Sequence, residues 1–363
     1  MELGLGRGLV TLLLFSSLFA IIDALAPNFG TTKKSVSIVT GSRGYLGRQV
    51  VHEILQNSDD DDNNYQKEVI CLVREKNVQD EEEYWKNIID TYDDIKVELR
   101  VLPYDMLDGG ETFSKALQYA FNSNSDMETS CCVYHIASIF TPTEDHHQMA
   151  LDNVKGSEDL MNAIVSSNVE NDSNVPSSSS STKNNVRVVL TSSTAAVRGP
   201  NQTPINGKWY THEDWNTASE HGKNWGNSYQ WSKAESERRA WTIAKEHDIE
   251  MVSMCPSFIF GPPNGETSSS YSIQIVDSWI KGDAAVQSRL CVDIRDVAKA
   301  HRLAGTLPEA AGKRLIVSSE ARLTSQKAAA IFQEVARETG FDPEQIHPDT
   351  QFDGGAIAIG MLD

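Results

Sequence analysis

Residues 35–55 read SVSIVTGSRGYLGRQVVHEIL, and this stretch decides the fold. Its first half is rich in β-branched residues, as in a buried strand, and its second half repeats apolar residues at helical spacing. Between them, Gly41, Gly44 and Gly47 follow a GxxGxxG pattern. Glycines at such a turn allow backbone N–H groups to approach a pyrophosphate and the helix to pack closely on the sheet. The stretch therefore predicts a strand-turn-helix unit that binds a dinucleotide, with a plain turn as the alternative.

Strand and helix patterns alternate from Ser35 to Cys255, without an evident internal repeat. This alternation predicts an α/β fold of the Rossmann type, with a doubly wound parallel sheet. We expect the NAD(P)-binding domain to cover residues 35–255, with a low-complexity surface loop at 169–185. Residues 256–363, which include the strand-like KRLIVSS, are expected to form a smaller C-terminal substrate-binding lobe, although the terminal segment 353–363 has no recognisable pattern.

Two arginines predict which dinucleotide is bound. The second predicted strand, VICLVRE, ends in Arg74, at the position that selects the cofactor in folds of this type. A guanidinium there pairs with a 2′-phosphate, whereas an acidic side chain would bind a ribose 2′-hydroxyl. Arg43 in the glycine turn supplies a second cation. NADP(H) is therefore favoured over NAD(H), against the alternative that both arginines are merely solvated and that the neighbouring Glu75 weakens the signal.

A hydroxyl cluster and a Tyr-x-x-x-Lys pair predict the reacting centre. Ser192, Ser193 and Thr194 lie near the carboxyl end of the strand predicted from VRVVLTSSTAAV. Tyr229 and Lys233 are four residues apart, so that they share one face of a helix. When a carbonyl accepts a hydride, its oxygen must be protonated, and a phenol near its ordinary pKa is a slow acid. A nearby ammonium should favour the phenolate, while Ser193 or Thr194 holds the oxygen. The alternative is an ordinary exposed helix pair.

Composition narrows the classes of partner. The chain has 363 residues and a net charge of -19, which argues against unaided binding to nucleic acid or to anionic membranes. Its five cysteines are an odd number without a Cys-x-x-Cys pair, and the adjacent Cys131 and Cys132 should face opposite sides of a strand. Neither a metal site nor a disulfide framework is expected.

The amino-terminal residues predict a targeting signal. Residues 9–22 are an apolar run preceded by Arg7 and followed by small residues, which favours a signal peptide at 1–24 over a retained anchor, so that no stable membrane span should remain. Residues 25–34 are basic and hydroxylated and resemble a short transit segment of algae with secondary plastids. We therefore expect entry into the secretory route, with a secondary plastid as one destination and the endoplasmic reticulum or secretion as the others.

The ordered motifs TGSRGYLG, LVRE, YHIAS, VVLTSS, YQWSK, MCPSFIFGPP and VDIRDVAKAH resemble the extended short-chain dehydrogenase/reductase superfamily. The resemblance is to its dihydroflavonol-reductase-like branch, within the NAD-dependent epimerase/dehydratase family, and runs from Ser35 to about Glu338. It implies that Tyr229 is the proton donor, Lys233 the ribose-binding base that tunes it, and Ser193 or Thr194 the hydroxyl on the substrate oxygen. It also implies a set of cofactor contacts: Gly41, Arg43, Gly44, Tyr45, Leu46, Gly47, Arg74, Asp105, Met106, Ala137, Ser138 and Pro256. Simple strand termination is the alternative for Ala137 and Pro256.

The resemblance implies an NADPH-dependent reductase of ketones or aldehydes, or a reversible alcohol dehydrogenase, acting on a small to medium organic molecule. Residues 226–233 read GNSYQWSK instead of the Asn-Trp-Tyr-x-Tyr-x-Lys signature of cinnamoyl-CoA reductases, which disfavours acyl-CoA reduction. A 3β-hydroxysteroid dehydrogenase and a nucleotide-sugar epimerase or dehydratase share the same catalytic residues. A dinucleotide-binding sensor without activity is the alternative outside enzymes, and the complete set of Ser193, Tyr229 and Lys233 argues against it.

Overall fold

A computed structural model of the chain describes residues 33–57, 65–92, 97–122, 128–173, 185–265, 270–319 and 322–350. The predicted signal peptide, most of the transit-like segment, most of the predicted low-complexity loop and the segment 353–363 lie outside the described residues. Two boundaries differ from the expectation. The first strand begins at Lys33 rather than Ser35, because the buried Lys34 ammonium pairs with Glu68 on the next strand at 2.7 Å. The helix before the predicted loop continues to Ser173.

Seven parallel strands of the described chain form one sheet in the order β3-β2-β1-β4-β5-β6-β9, and two short parallel strands, β7 and β8, pair outside it. The strands are β1 (Lys33–Thr40), β2 (Tyr65–Val73), β3 (Val97–Pro103), β4 (Thr129–His135), β5 (Asn185–Thr191), β6 (Glu250–Pro256), β7 (Phe258–Phe260), β8 (Cys291–Asp293) and β9 (Arg314–Val317). Val, Ile and Leu are frequent in β1, β2 and β5, and β4 and β6 bury Cys, Tyr and Met residues as well, because both faces of a parallel sheet are covered by helices. The predicted Rossmann-type sheet is confirmed.

Helices cover both faces of this sheet, and their buried residues form two large cores. The helices are α1 (Tyr45–Gln56), α2 (Val78–Ile89), α3 (Glu111–Asn122), α4 (His146–Ser173), α5 (Thr194–Val197), α6 (Trp225–Glu246), α7 (Tyr271–Ile280), α8 (Ile294–Thr306) and α9 (Ser325–Thr339). Helices α3, α4 and α6 bury residues such as Phe113 and Leu160 on one face. Helices α1, α2 and α8 bury residues such as Val50 and Trp85 on the other. A third core around Trp279 joins α7 and α9 in a smaller lobe.

Two elements that the sequence assigned to the smaller lobe instead belong to the main layer. Strand β9 pairs with β6 as the last strand of the sheet, with Cys255 opposite Ile316. Helix α8 packs against α1 and contributes Val297 to the core on that face. The apolar residues of β9 cover an edge of β6 that would otherwise be unpaired. The division at residue 255 therefore does not separate these two elements from the main sheet, and the smaller lobe consists of the segment between β6 and α8, which contains α7, together with the last helix, α9.

The strand order places a binding crevice above the middle of the sheet. The order reverses between β1 and β4, and open α/β sheets bind ligands at such a switch point, outside the carboxyl ends of the strands. Gly41 follows β1 and Ile136 follows β4 at this point. In the part of the chain that the structure describes, no helix is both long enough and apolar enough to cross a membrane.

Candidate active site

A single cleft of about 1100 Å³ lies over the carboxyl ends of the strands from β1 to β6. Every residue that the sequence predicted for the site lines it. They are Gly41, Arg43, Gly44, Tyr45, Leu46, Gly47, Arg74, Asp105, Met106, Ala137, Ser138, Ser193, Thr194, Tyr229, Lys233 and Pro256. These residues come from distant segments of the sequence, and the parallel sheet brings them together because all these segments follow the same ends of neighbouring strands.

The glycine turn has the shape of a pyrophosphate cradle. Gly41 has φ 66°, in the left-handed region, and a Cβ there would lie 3.0 Å from Cα of Ala137. A Cβ on Gly47 would overlap the Gly41 carbonyl oxygen and lie 2.8 Å from its carbon. Helix α1 starts at Tyr45 with no side-chain cap on its first N–H groups, because Gly44 precedes it. Free N–H groups and the positive end of the helix dipole are suited to a bound anion, so these residues fit a dinucleotide pyrophosphate.

Tyr45 fixes the start of α1 to the far side of the cleft. Its hydroxyl donates a hydrogen bond of 2.7 Å to the Gly261 carbonyl, in the loop after β7. Burial and the nearby Asp293 carboxylate raise the pKa of Tyr45 to about 12, so it remains a neutral donor. The glycine turn is thus connected to the segment that begins the smaller lobe.

The two arginines predicted to select the cofactor lie at one end of the cleft. Arg74 directly follows β2 and precedes a short helical turn at Glu75–Asn77. Its side chain is exposed and forms no ion pair with any described residue. Arg43 Nη1 is 3.3 Å from an Asp80 oxygen and 3.8 Å from a Glu81 oxygen. Glu81 is fully buried and already accepts two hydrogen bonds from Arg48, at 3.2 and 2.6 Å. Arg43 therefore shares its charge with the protein, whereas Arg74 is the cation available to a ligand.

The remaining cofactor residues sit on tightly held backbone. The Thr40 hydroxyl oxygen accepts hydrogen bonds from the N–H groups of Ile136 and Ala137, at 3.0 and 3.1 Å, which joins the ends of β1 and β4 at the switch point. Asp105 accepts a hydrogen bond of 2.9 Å from the Leu107 N–H, so one carboxylate oxygen shapes the turn after β3. Met106 packs against Gly156 of α4, where a Cβ would collide with the Met106 side chain.

The three hydroxyls after β5 have different surroundings. Ser192 is buried and donates to the Glu237 carboxylate at 2.7 Å, which directs it away from the cleft. Ser193 accepts a hydrogen bond of 3.1 Å from the Ala195 N–H and also hydrogen bonds to Tyr229. Thr194 is the first residue of α5 and lines the cleft. Ser193 is therefore the hydroxyl that the structure places against the phenol.

The electrostatics of Tyr229 and Lys233 differ from the sequence-based expectation. Burial raises the pKa of Tyr229 to about 12, and the hydrogen bond from Ser193 lowers it only in part. The sequence predicted that the Lys233 ammonium would lower the pKa of Tyr229 below its ordinary value, and this is not found. Lys233 Nζ lies 6.0 Å from the centre of the Tyr229 ring and donates to the Thr191 carbonyl at 3.2 Å, so its charge acts at a distance. Burial lowers the pKa of Lys233 itself to about 8, whereas Cys255 and Glu237 raise it. Desolvation outweighs the attraction between the two groups.

A buried ion pair between Glu237 and Arg314 lies next to Lys233, and the sequence analysis did not predict it. Glu237 lies one helical turn after Lys233, is fully buried, and accepts hydrogen bonds from Arg314 Nε at 2.7 Å and Nη2 at 3.2 Å. Arg314 also donates to three backbone carbonyls, of Ala196, His212 and Asp214, and its guanidinium lies 3.9 Å from the centre of the Trp215 ring. Arg314 thus joins β9, the catalytic helix α6 and the loop that precedes it.

A neutral histidine lies beside the same lysine. His135, the last residue of β4, is buried, with Nδ1 2.9 Å from Thr40 Oγ1 and Nε2 3.3 Å from Ser157 Oγ. Burial and the charge of Lys233 lower the pKa of His135 to about 3. The uncharged His135 ring therefore links β4 to β1 through Thr40 and adds no positive charge next to the Lys233 ammonium. Among the described residues, no group of three His, Cys, Asp or Glu side chains could hold a metal ion.

Aromatic side chains line the cleft around Tyr229. Trp225 stacks on Tyr229 with ring centres 5.7 Å apart and planes 9° apart, one helical turn away. Phe140 lies 4.6 Å from Tyr229, and Tyr271 of α7 contacts both Phe140 and Trp225 at 5.2 and 5.0 Å. Of these, only Trp225 had a usable sequence signal, namely its i, i+4 spacing to Tyr229. The wall offers an apolar surface to a substrate next to the phenol.

Comparison with known proteins agrees with this geometry. A family profile described as "Male sterility protein" matches residues 39–290. The chain is 32% identical to cinnamoyl-CoA reductase 1 of Arabidopsis thaliana over 194 residues, 52% of this chain and 49% of the relative. It is 32% identical to the NADPH-dependent methylglyoxal reductase GRE2 of Saccharomyces cerevisiae over 169 residues, 41% of this chain and 47% of the relative. The matched regions thus span about half the length of these curated relatives.

The fold comparison extends over most of the chain. The crystal structure of Gre2 from Candida albicans in complex with NADPH superposes with a TM-score of 0.65 at 25% identity, covering 87% of this chain and 86% of that one. The family profile covers both the glycine turn and the catalytic helix. The chain therefore belongs to the male sterility protein family of NAD-binding proteins, within the dihydroflavonol-reductase-like branch of the extended short-chain dehydrogenases/reductases.

Proposed function

We propose that this protein is an NADPH-dependent reductase of ketones or aldehydes, able to run in reverse as an alcohol dehydrogenase. One observation carries the proposal: a single cleft has a glycine cradle with an available arginine at one end and Ser193, Tyr229 and Lys233 at the other. A dinucleotide in the cradle would extend toward the phenol, where a carbonyl oxygen can be protonated. The names of the relatives, which are reductases, support the same reaction class.

The preference for NADPH rests on Arg74 and Arg43. Arg74 is exposed at the end of β2 and can pair with a 2′-phosphate in bidentate fashion. An NADPH-dependent relative and a structural neighbour bound to NADPH support this preference. We expect the Arg74→Gln variant to lose affinity for NADPH and to change its affinity for NADH little, as measured by nicotinamide fluorescence.

Held by the glycine turn and Arg74, NADPH would supply the hydride that reduces the carbonyl carbon. The Tyr229 hydroxyl donates its proton to the oxygen, and Ser193 donates a hydrogen bond that holds this oxygen as negative charge develops. The phenolate left on Tyr229 is stabilised by the Lys233 ammonium, which Thr191 orients through its carbonyl. A substrate bound against the aromatic wall would displace water from the phenol, and these fixed dipoles would then act more strongly than they do in water.

The substrate proposal is a free ketone or aldehyde rather than a thioester. The cleft wall of Phe140, Trp225 and Tyr271 suits an aromatic or apolar body. Residues 226–233 lack the signature sequence of the cinnamoyl-CoA reductases, although members of that group are among the relatives. Cinnamoyl-CoA should therefore be turned over poorly by comparison with aromatic aldehydes.

The test is a titration of the purified protein with NADPH and NADH, followed by a panel of dihydroflavonols, methylglyoxal, aromatic aldehydes, 3-ketosteroids and cinnamoyl-CoA. Loss of nicotinamide absorbance reports turnover. Tyr229→Phe should lower kcat by about 10²- to 10⁴-fold while the Kd for NADPH stays nearly unchanged. Tyr119→Phe, on α3 outside the cleft lining, is the matched control and should keep full activity. Unchanged turnover in Tyr229→Phe would refute the mechanism, and tight NADPH binding without turnover of any panel member would favour a sensor or an epimerase.

A further inference from the structure

Beyond the aromatic wall, the cleft contains two arginines that the proposed reaction does not use. Arg198 follows α5 and Arg289 precedes β8, and both side chains line the cleft. Arg322 lies next to them and is held in place by Ser288, to whose hydroxyl and carbonyl it donates hydrogen bonds of 2.8 and 3.1 Å. Tyr271 lies close enough to Arg289 for the two to interact electrostatically. The arginines are therefore at the substrate end of the cleft.

None of these three arginines forms an ion pair with a described Asp or Glu residue, although the chain carries 51 acidic residues and a net charge of -19. Among the described residues that line the cleft, the only carboxylate is Asp105, which follows β3 at the cofactor end. The Arg289 Nε is buried and has no hydrogen-bond acceptor among the described residues. Its guanidinium donates one hydrogen bond, to the neutral Gln287 amide oxygen, and lies 5.3 Å from the centre of the Phe258 ring.

The protein holds these charges at an energetic cost. Burial lowers the pKa of Arg289 and of Arg198, and the positive charge of Arg322 lowers both further. The groups that raise these two pKa values are neutral or weakly acidic. They are Tyr271 and Cys291 for Arg289, and Tyr210 for Arg198. Both arginines are only partly buried, and a partly buried cation without a counter-charge is disfavoured, so an anion that enters this end of the cleft gains charge-assisted hydrogen bonds and relieves the repulsion between the arginines.

We infer that the substrate is an apolar or aromatic carbonyl compound that also carries an anionic group, a carboxylate or a phosphate, which binds between Arg289 and Arg198. This inference names the substrate class of the proposed reductase and rests on that function. The aromatic wall receives the body of the molecule, the carbonyl faces Tyr229, and the anion lies beyond Tyr271. The guanidinium fork suits the planar or tetrahedral oxygens of such groups.

The test compares matched substrates with and without the charge. The carboxylate arm uses 4-carboxybenzaldehyde against its methyl ester, and the phosphate arm uses 4-formylphenyl phosphate against 4-methoxybenzaldehyde. In the unmodified protein the anionic member of at least one pair should have the higher kcat/KM. In Arg289→Gln, the ratio of kcat/KM for the anionic over the neutral member should fall by roughly 10- to 100-fold. Arg198→Gln should lower the same ratio, which covers the case in which the first variant does not fold.

The matched control is Arg295→Gln, six residues further along the chain, where the arginine is exposed and paired with Asp293 at 2.7 Å. This variant should leave the ratio unchanged. Equal loss for charged and neutral substrates in Arg289→Gln, or a preference for the neutral members in the unmodified protein, would overturn the inference. Calorimetric titration of the NADP⁺-bound protein with terephthalate separates the two proposals. If terephthalate binds to the unmodified protein but not to Arg289→Gln, and no aldehyde is reduced, the reductase is refuted and the anion site is supported. If terephthalate does not bind to the unmodified protein, the carboxylate site is refuted.

Discussion

Glu237 is the residue whose replacement best tests how the site is supported, and we predict that Glu237→Gln destabilises the protein by about 3 kcal/mol. The carboxylate accepts two hydrogen bonds from Arg314, at 2.7 and 3.2 Å, and one from Ser192 at 2.7 Å. Leaving a buried charge unpaired costs about 3–5 kcal/mol. The lower end of this range applies here because three backbone carbonyls still accept hydrogen bonds from the Arg314 guanidinium, and the glutamine side chain keeps one oxygen that can accept another.

Urea unfolding measures this loss, and the pH dependence of kcat/KM for carbonyl reduction measures its effect on the site. The negative charge of Glu237 raises the pKa of Lys233, so the variant should lose activity at a lower pH than the unmodified protein. Asp277→Asn is the matched control, since Asp277 is exposed and pairs with an exposed Lys281 at 2.6 Å. Its unfolding free energy should change far less, because exposed ion pairs are weak.

The reasoning would be wrong if the unfolding free energy of Glu237→Gln differed from that of the unmodified protein by less than about 1 kcal/mol, because breaking a buried ion pair usually costs more than this. It would also be wrong if the variant kept the original pH profile. A double-mutant cycle with Arg314→Gln gives a second check. Because the two side chains contact each other, the double variant should be more stable than the sum of the single effects predicts, by about 1–3 kcal/mol.

Three further predictions follow from burial and close packing. Reduction should slow as the pH rises through about 8, where Lys233 loses its proton, and Lys233→Arg should abolish this limb of the kcat/KM profile. Burial lowers the pKa of His301 from 6.5 to about 4, so its contribution to stability is complete above pH 6.5 and is lost below it. Near pH 5 the loss is about 2 kcal/mol, and His301→Gln should show a shallower fall in urea unfolding. Gly47→Ala should destabilise by about 1–3 kcal/mol and abolish NADPH binding, because its Cβ would overlap the Gly41 carbonyl. Gly226→Ala, where the nearest atom is 3.6 Å away, should fold normally.

The sheet and the cofactor end of the site could be predicted because their signals are local. Strands β1 and β2 end in short runs rich in Val, Ile and Leu, and the glycine turn and Arg74 follow these runs directly, while Ala137 lies two residues after β4. In a parallel sheet the residues that follow the strands must meet at one edge, so placement along the sequence determines placement in space. No long-range contact had to be inferred to bring these residues together.

What the sequence could not predict depends on partners far apart in the chain. Glu237 and Arg314 are separated by 77 residues, and neither differs in its local pattern from an exposed charge. Phe140 lies in a loop and Tyr271 on α7, so their contact at 5.2 Å follows only from the tertiary fold. The pKa of Tyr229 was misjudged for a related reason. The 6.0 Å separation from Lys233 and the depth of burial are properties of packing, which helical spacing alone does not give.

The position of β9 shows why a division into a cofactor domain and a substrate lobe describes this protein poorly. Arg314 is the first residue of β9, and its guanidinium neutralises Glu237 on the catalytic helix while holding the loop that precedes that helix. Lys233 lies one turn before Glu237, whose charge raises the pKa of Lys233, so a residue of β9 holds the carboxylate that acts on this lysine. In the sequence, β9 comes after α7, which contributes Tyr271 to the substrate side of the cleft, so the support of α6 and the substrate side of the cleft are interleaved along the chain. Consequently, loss of β9 should disable the reacting centre even though every catalytic residue precedes it.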